Sequence, residues 1–313
     1  MIENLYVIGN GFDLHHDVNS RYSDFRDWLL ANTRFAYFYK DEIESYFKCN
    51  DLWSSFEENI AKFDYESFSK SVARENRPNM MSRHPEASLE DARVEVENQL
   101  GEWWKFVKTG LAKWAAQLNR PESSKKIQVL MNGSYFLTFN YTLTLEELYG
   151  IPMENVLHIH GRVGDAPEEM YLGHGGELLP RNESKFDDFV DEYGQIDYSL
   201  FPDANDDVSE RQAIDTGEAQ VISWKKPVSQ IIAKHEHLWL SFSTVKQVFI
   251  YGLGFSSVDM PYLKRIKAVV PESAVWQVSY HSIEDMHRIV ARLTELNVRN
   301  HNFVRLQDIQ VLP

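Results

Sequence analysis

"LYVIGNGFDLHH", residues 5–16, runs an apolar segment into Gly9-Asn10-Gly11 and follows it with Asp13, His15 and His16. A short β-branched and aromatic run closed by two glycines reads as a strand entering a turn, where glycine lets the backbone bend tightly or lie against a ligand. The same pattern returns downstream. Apolar runs at 135–139, 155–159 and 247–251 end in "NYT", "HG" and "GLGFSSVD", and 275–280 makes a fifth. Helical periodicity follows most of them: Phe25, Trp28 and Leu29 after the first, Leu145 and Leu148 after the second, Met260 to Ile266 after the fourth, Met286 to Leu296 after the fifth. Strand–loop–helix repetition predicts an α/β fold, a doubly wound and mainly parallel Rossmann-like sheet. Thr144-Leu-Glu-Glu147 has capping-box spacing, and Ser256 or Asp259 can cap a helix with Pro261 in its first turn. The polar strand ends are thus expected beside helix amino ends, where unpaired N–H groups and the helix dipole attract phosphate.

Two stretches break the repeat. From 51 to 118 the periodicity is helical, with Leu52, Phe56, Ile60 and Phe63 on one stripe and Leu100, Trp104, Val107, Leu111, Trp114 and Leu118 on another. This predicts a helical lobe over 51–120 inserted into a core of 1–50 and 121–313. Trp103, Trp104 and Trp114 are expected in the core of that lobe, since no arginines interleave them as in a base-stacking surface. Trp53 and Glu57, four apart, suit packing with a cap or ion pair. The polar, proline-bearing "RENRPNMMSRHPEASLEDARVE" is expected as a connector, and the acidic 164–226 as a loop-rich excursion within the core.

Composition sets limits. At 43% hydrophobic, 313 residues suffice for a sizeable core. A net charge of −15 disfavours a sequence-independent grip on nucleic acid, which requires a basic surface to release counterions. A local basic pocket for a small anion stays compatible with it. Cys49 stands alone, so it reads as an ordinary thiol with no internal disulfide. No signal-like segment precedes the first strand and no run approaches the ~20 apolar residues of a membrane span, so the expectation is a cytoplasmic protein without a membrane partner.

The glycine turn departs from the dinucleotide fingerprint G-x-G-x-x-G, because Leu14 holds the third position and no acidic residue closes a clear second strand about 20 residues on. An ordinary nicotinamide dehydrogenase is disfavoured. In an open parallel sheet the ligand crevice lies outside the carboxyl ends of the strands at the point where strand order reverses, so the polar strand ends are expected to converge there.

Taken in order, "YVIGNGFDLHH" with "SRYSDF", "LWSSFEENIAKFD", "FLTFNYTLTLEELY", "HIHG", "YLGHG" and "IYGLGFSSVDMPYL" resemble the bacteriophage abortive infection AbiH family across nearly the whole chain. Chains of that type are in turn similar to sirtuins and to sirtuin-like NAD-degrading defence proteins. In that comparison Gly9–Gly11 takes the place of the sirtuin Gly-Ala-Gly loop and Tyr22–Arg26 that of Pro-Asp-Phe-Arg. Phe139-Asn140-Tyr141 resembles the Gln-Asn strand end, His160-Gly161 the pair carrying the catalytic base, and Gly252–Ser256 the Gly-Thr-Ser loop. The chain lacks a Cys-x-x-Cys pair for structural zinc, and Thr142 stands where an aspartate is frequent. The resemblance therefore implies NAD binding and cleavage in antiphage defence, with no additional cofactor and without zinc-dependent deacylation. Its partners would be a second copy of the chain or an activating phage or defence component.

Hydrolysis of the nicotinamide–ribose bond passes through an oxocarbenium-like centre, and it needs a held diphosphate, oriented hydroxyls and a base. On the resemblance, Asn140 orients ribose or water, His160 is the base, and Asp13 bonds ribose or stabilises its positive charge. Gly9, Asn10, Gly11, Gly252 and Ser256 cradle phosphate and adenosine, and Phe12, Asp24, Tyr141, Gly254 and Asp259 complete the nucleotide-binding set. Two other readings stay open. Alternation on a strand would put His158 and His160 on one face, with His174 and Asp13 completing a metal site for a phosphoester or nucleotide hydrolase. A sensor that binds the nucleotide without turnover would have the same sequence.

Overall fold

The computed structural model describes residues 1–33, 43–77, 85–181 and 204–310. Among these, six strands form one sheet in which every pairing is parallel. They are β1 (Asn4–Ile8), β2 (Ser134–Thr138), β3 (Val156–His158), β4 (Gln247–Tyr251), β5 (Val275–Ser279) and β6 (His301–Val304). Their order is β3-β2-β1-β4-β5-β6, that of dinucleotide-binding folds, with the reversal of direction between β1 and β4. The expected α/β class and parallel sheet are thus present. β6 was not anticipated, because an edge strand that is only half-buried carries "HNFV" without an apolar run.

Strand alternation sorts β1 onto two cores. Leu5 and Val7 join Val248, Ile250, Tyr262 and Leu263 on one face, while Tyr6 and Ile8 join Phe136, Phe249 and Tyr251 on the other. Because Tyr6 is in register with both Phe136 and Phe249, the three rings stack across three strands, with centroids 4.8 and 4.5 Å apart. Cross-strand aromatic pairs of this kind contribute about 0.2–1 kcal/mol each. On the first face lie α-helices Met260–Val269 and Ile283–Glu295; on the second, the short helices Asn10–His15 and Thr144–Tyr149 contribute Phe12, Leu145 and Tyr149.

The chain divides into two compact units: 1–32, 108–175 and 226–313 in the first, and 33–107 with 176–225 in the second. The first holds the sheet. In the second, helices Tyr65–Glu75 and Ala204–Ser223 lie so close that a Cβ on Gly217 would come within 2.4 Å of Ser69 Oγ. That contact explains why a helix forms in the acidic stretch read as loop-rich: Ala213, Ile214 and Val221 are buried along it, and the glycine in its middle is a packing position. The segment "DDFVDEYGQIDY" lies outside the described residues. The expected connector also ends sooner than its composition suggests, since a helix runs from Pro85 to Ala115. Trp103 and Trp104 pack on Trp224 in the second unit, whereas Trp114, expected with them, packs at a tilt against Phe25 in the first, with ring centroids 5.1 Å apart. Trp53 stacks on Phe56 and donates its ring N–H to Glu44.

The turns after β1 and β4 meet backbone to backbone. Gly252 has φ 69°, and a Cβ there would sit 2.1 Å from the Phe12 nitrogen. Gly252→Ala should therefore destabilise the protein by more than about 2 kcal/mol in urea unfolding. Gly254→Ala, with no atom within 4 Å of the new Cβ, should change little; equal effects would refute the close-packing account.

Candidate functional site

The carboxyl ends of the strands are laced together by hydrogen bonds between consecutive loops. Asn140, just past β2, donates its amide to the Gly9 carbonyl at 3.1 Å. Gly9 N–H donates to Tyr251 O and Gly11 N–H to Gly252 O, at 2.9 and 2.8 Å. Gly252 N–H donates in turn to Ser279 Oγ at the end of β5, 2.8 Å. Ser256 N–H is held by the Asp259 carboxylate. Four of the N–H groups expected to cradle phosphate thus already have acceptors within the protein. Gly9 and Gly11 are glycines because a Cβ on either would fall 2.6–2.8 Å from the backbone of Leu253 and Gly252.

Asp13 performs a similar tie between the first two loops. Thr142 and Thr144 each donate a hydroxyl to its carboxylate, at 2.6 and 2.7 Å. The capping box expected at Thr144 does not form: the helix Thr144–Tyr149 has no side-chain cap, because that hydroxyl is given to Asp13. Asp259 likewise stands at a helix start without capping it, its carboxylate turned back to Ser256. Burial raises the Asp13 carboxyl to about 6 against the three hydrogen-bond donors that lower it.

His160 is 3% exposed and packs edge-on against Phe139 and Tyr262. Its Nδ1 lies 3.3 Å from the Lys226 amine, and its Nε2 is buried with no hydrogen-bond partner. Burial, and secondarily the adjacent Lys226 charge, hold this imidazole well below its ordinary range, so it is neutral near pH 7. The expectation that His158 and His160 share a face fails because β3 stops at His158 and the chain turns. His158 instead bridges Asn140 O and Glu146, at 3.1 and 2.8 Å. Among the described residues no three His, Cys, Asp or Glu side chains are grouped to hold a metal.

The other expected contacts scatter. Phe12 is fully buried against His16 and Tyr149; exposed Asn10 exchanges hydrogen bonds with Ser20. Asp24 accepts from Arg21 N–H, and Tyr141 donates to Tyr171 O.

A cleft of about 840 Å³ opens where strand order reverses and extends over the ends of β5 and β6. Gly11, Gly252 and Gly254 line it; Asn140, His160 and Asp13 do not. Its other walls are basic: Arg21, Lys125, His281, Arg288 and Arg305, with Asp285 and Tyr280. None of these is among the site residues expected from the sequence: His281, Asp285 and Arg288 lie close together in the chain, but Arg21, Lys125 and Arg305 lie far from them and from one another. The Lys125 wall is fixed by His15 Nε2 donating to Lys125 O and by Tyr149 OH accepting from Ile127 N–H. The same Tyr149 hydroxyl meets His16 Nε2 at 2.9 Å, and burial lowers His16 to about 4. Beside the cleft, Phe255 takes φ 55°, a conformation costing about 1–2 kcal/mol in a non-glycine residue, held by burial of its ring.

Residues 5–280 match the family described as Bacteriophage abortive infection AbiH. The chain belongs to the AbiH family. No curated protein and no solved structure matches it. The role that AbiH membership carries is abortive infection, and among the described residues no helix of this AbiH chain is long and apolar enough to cross a membrane.

The Asp13 carboxyl makes stability depend on pH with a defined sign. Its folded value, about 6, exceeds its ordinary 3.8, so the folded state retains the proton through that window. Its contribution is fully favourable below about pH 4 and is lost as pH rises through 6. The stability of the wild type relative to Asp13→Asn should fall by on the order of 2–3 kcal/mol between pH 4 and 7 in denaturant titrations. A difference independent of pH would show that the carboxyl is not held protonated.

Proposed function

We propose that this AbiH chain acts in abortive infection by recognising a phosphate-bearing nucleotide, with NAD as the leading candidate, in the cleft over the ends of β1, β4, β5 and β6. The observation that supports this is a concentration of Arg21, Lys125, Arg288 and Arg305 around one nucleotide-sized cleft in a chain of net charge −15. Recognition is the part of the reading with the most geometric support. Of the groups assigned to turnover, Asn140 and Asp13 tie loops together, and His160 is neutral and enclosed.

Cleavage of NAD to nicotinamide and ADP-ribose remains the second reading. It is favoured by the Asp13 carboxyl, tuned near 6 directly behind the glycine turn, where a small change in solvation sets its charge. The residues do not favour a metal-assisted hydrolase, since His158 is taken up by Glu146 and Asn140, and an amine sits beside His160.

Isothermal titration of the intact chain with NAD should give saturable binding that weakens with salt, and Arg305→Ala should weaken it at least tenfold, as expected for a lost charged hydrogen bond. Release of nicotinamide, abolished in Asn140→Ala of unchanged circular dichroism, would establish turnover. NAD bound but recovered intact, including from phage-challenged cells, would leave a sensor. No binding of NAD, or binding indifferent to Arg305, would overturn the NAD assignment.

A further inference from the structure

We propose that residues 305–310 form a strap that lifts from the cleft to admit the nucleotide and closes on it, so that entry and release are set by the strap. The gating rests on the nucleotide reading above; the strap itself rests on how this segment is attached.

β6 is an edge of the sheet, paired on one side only, with β5. Just past that pairing, Tyr280 N–H donates to Val304 O at 3.0 Å. Beyond Val304 the chain leaves the sheet, makes the single 3₁₀ turn Leu306–Asp308 and reaches Gln310. Two hydrogen bonds, Asp308 N–H to Arg305 O and Ile309 N–H to Leu306 O at 2.9 and 3.2 Å, lie inside the segment. Among the described residues one joins it to the rest of the chain: Gln128 N–H donates to Gln310 O at 2.9 Å. The segment therefore bridges two stretches of cleft lining that are remote in sequence. Arg305, Leu306 and Gln307 line the cleft themselves, and Ser124, Lys125 and Ile127 line it just before Gln128.

Packing, more than hydrogen bonding, keeps the strap down. Leu306 and Ile309, both half-buried, rest on the core cluster that contains Tyr6, Ile8, Phe12 and Tyr251. The Arg305 guanidinium lies over the Tyr280 ring, 5.4 Å from its centroid. Lifting the strap breaks a single hydrogen bond to the rest of the chain, which places its opening at the low end of local stability, well below the cost of unfolding the sheet. The closed, empty strap also carries a defect, since Arg305 Nε is buried with no hydrogen-bond partner. A buried donor without an acceptor is costly. Lifting hydrates it, whereas an anionic ligand held by the closed guanidinium offsets that cost. A ligand that meets Arg305 only in the closed form therefore shifts the population toward closure.

Amide hydrogen exchange of the intact chain tests the opening without any ligand. After correction for intrinsic rates, Gln128, Asp308 and Ile309 should exchange roughly a hundredfold faster than Val7 in the central strand. NAD at about ten times its dissociation constant should slow them about tenfold. In stopped-flow binding of NAD, Leu306→Ser combined with Ile309→Ser loosens the closed form without removing a cation. It should raise the association rate constant roughly threefold and the dissociation rate constant by more, with circular dichroism and exchange at Val7 as in the wild type. A fixed wall would leave association unchanged. Strap amides as slow as Val7, or association indifferent to the double substitution, would overturn the inference while leaving the nucleotide reading standing. Failure of both NAD and ADP to bind would remove the nucleotide reading and the gating with it, and fast exchange in the strap would then mark only a loose edge.

Discussion

The site depends on one close approach, that of the turn after β1 to the turn after β4. Three glycines meet there with their backbones in contact, and a single added methyl on any of them would overlap main-chain atoms. The contact exists because parallel pairing brings Ile8 and Tyr251 level, so the two chains leave the sheet side by side and must turn away in opposite directions. From this the rest follows: the helices diverge, a crevice opens between them, and the loops on either side are close enough for Asn140 and Ser279 to bridge to their neighbours. In this chain the glycine turn is a joint between the two loops, and the charged lining of the cleft comes from side chains around it.

Electrostatics divides the region into two kinds of environment. Behind the turns, Asp13, His16 and His160 are buried and pushed toward neutrality, and each is held by hydrogen bonds or aromatic contacts. In front of them the cleft keeps exposed and half-exposed cations. Burying charge is expensive unless it is paired, so the two histidines of the first set tie the loops in neutral form and the Asp13 carboxyl is raised to about 6, while the second set stays charged because water still reaches it. An acidic chain that keeps a basic cleft also focuses small anions toward that opening and repels extended polyanions elsewhere.

What could be read beforehand follows from the range of each physical signal. The strand runs and their glycine or polar endings are local, so β1, β4 and β5 and the parallel sheet were visible in the residue pattern. Thr144 was misread because its spacing to Glu147 is a valid cap signal, and only the fold brings Asp13 within reach of its hydroxyl. The helix Ala204–Ser223 was hidden by acidic residues and by Gly217, whose purpose is a contact with another helix far away in sequence. Arg21, Lys125, Arg288 and Arg305 were illegible for the same reason: their meaning lies in convergence, and convergence is set by the topology. Asn140 and Asp13 were picked out as chemically suggestive, and the structure gives both a hydrogen-bonding role that any doubly wound sheet could need.

The central position of β1 has a consequence for biosynthesis. Its neighbours are β2, which begins at Ser134, and β4, which begins at Gln247, so the first strand made has no partner on one side until most of the chain has been translated. At about 5–20 residues per second, that interval is on the order of ten seconds or more, during which an apolar strand must be shielded by the ribosome or a chaperone. The cleft comes later still, because Arg305 and Tyr280 emerge after β4. A truncated or stalled nascent chain that ends before β5 therefore lacks that wall of the cleft altogether, so the cleft exists only in copies that have been made almost to the end.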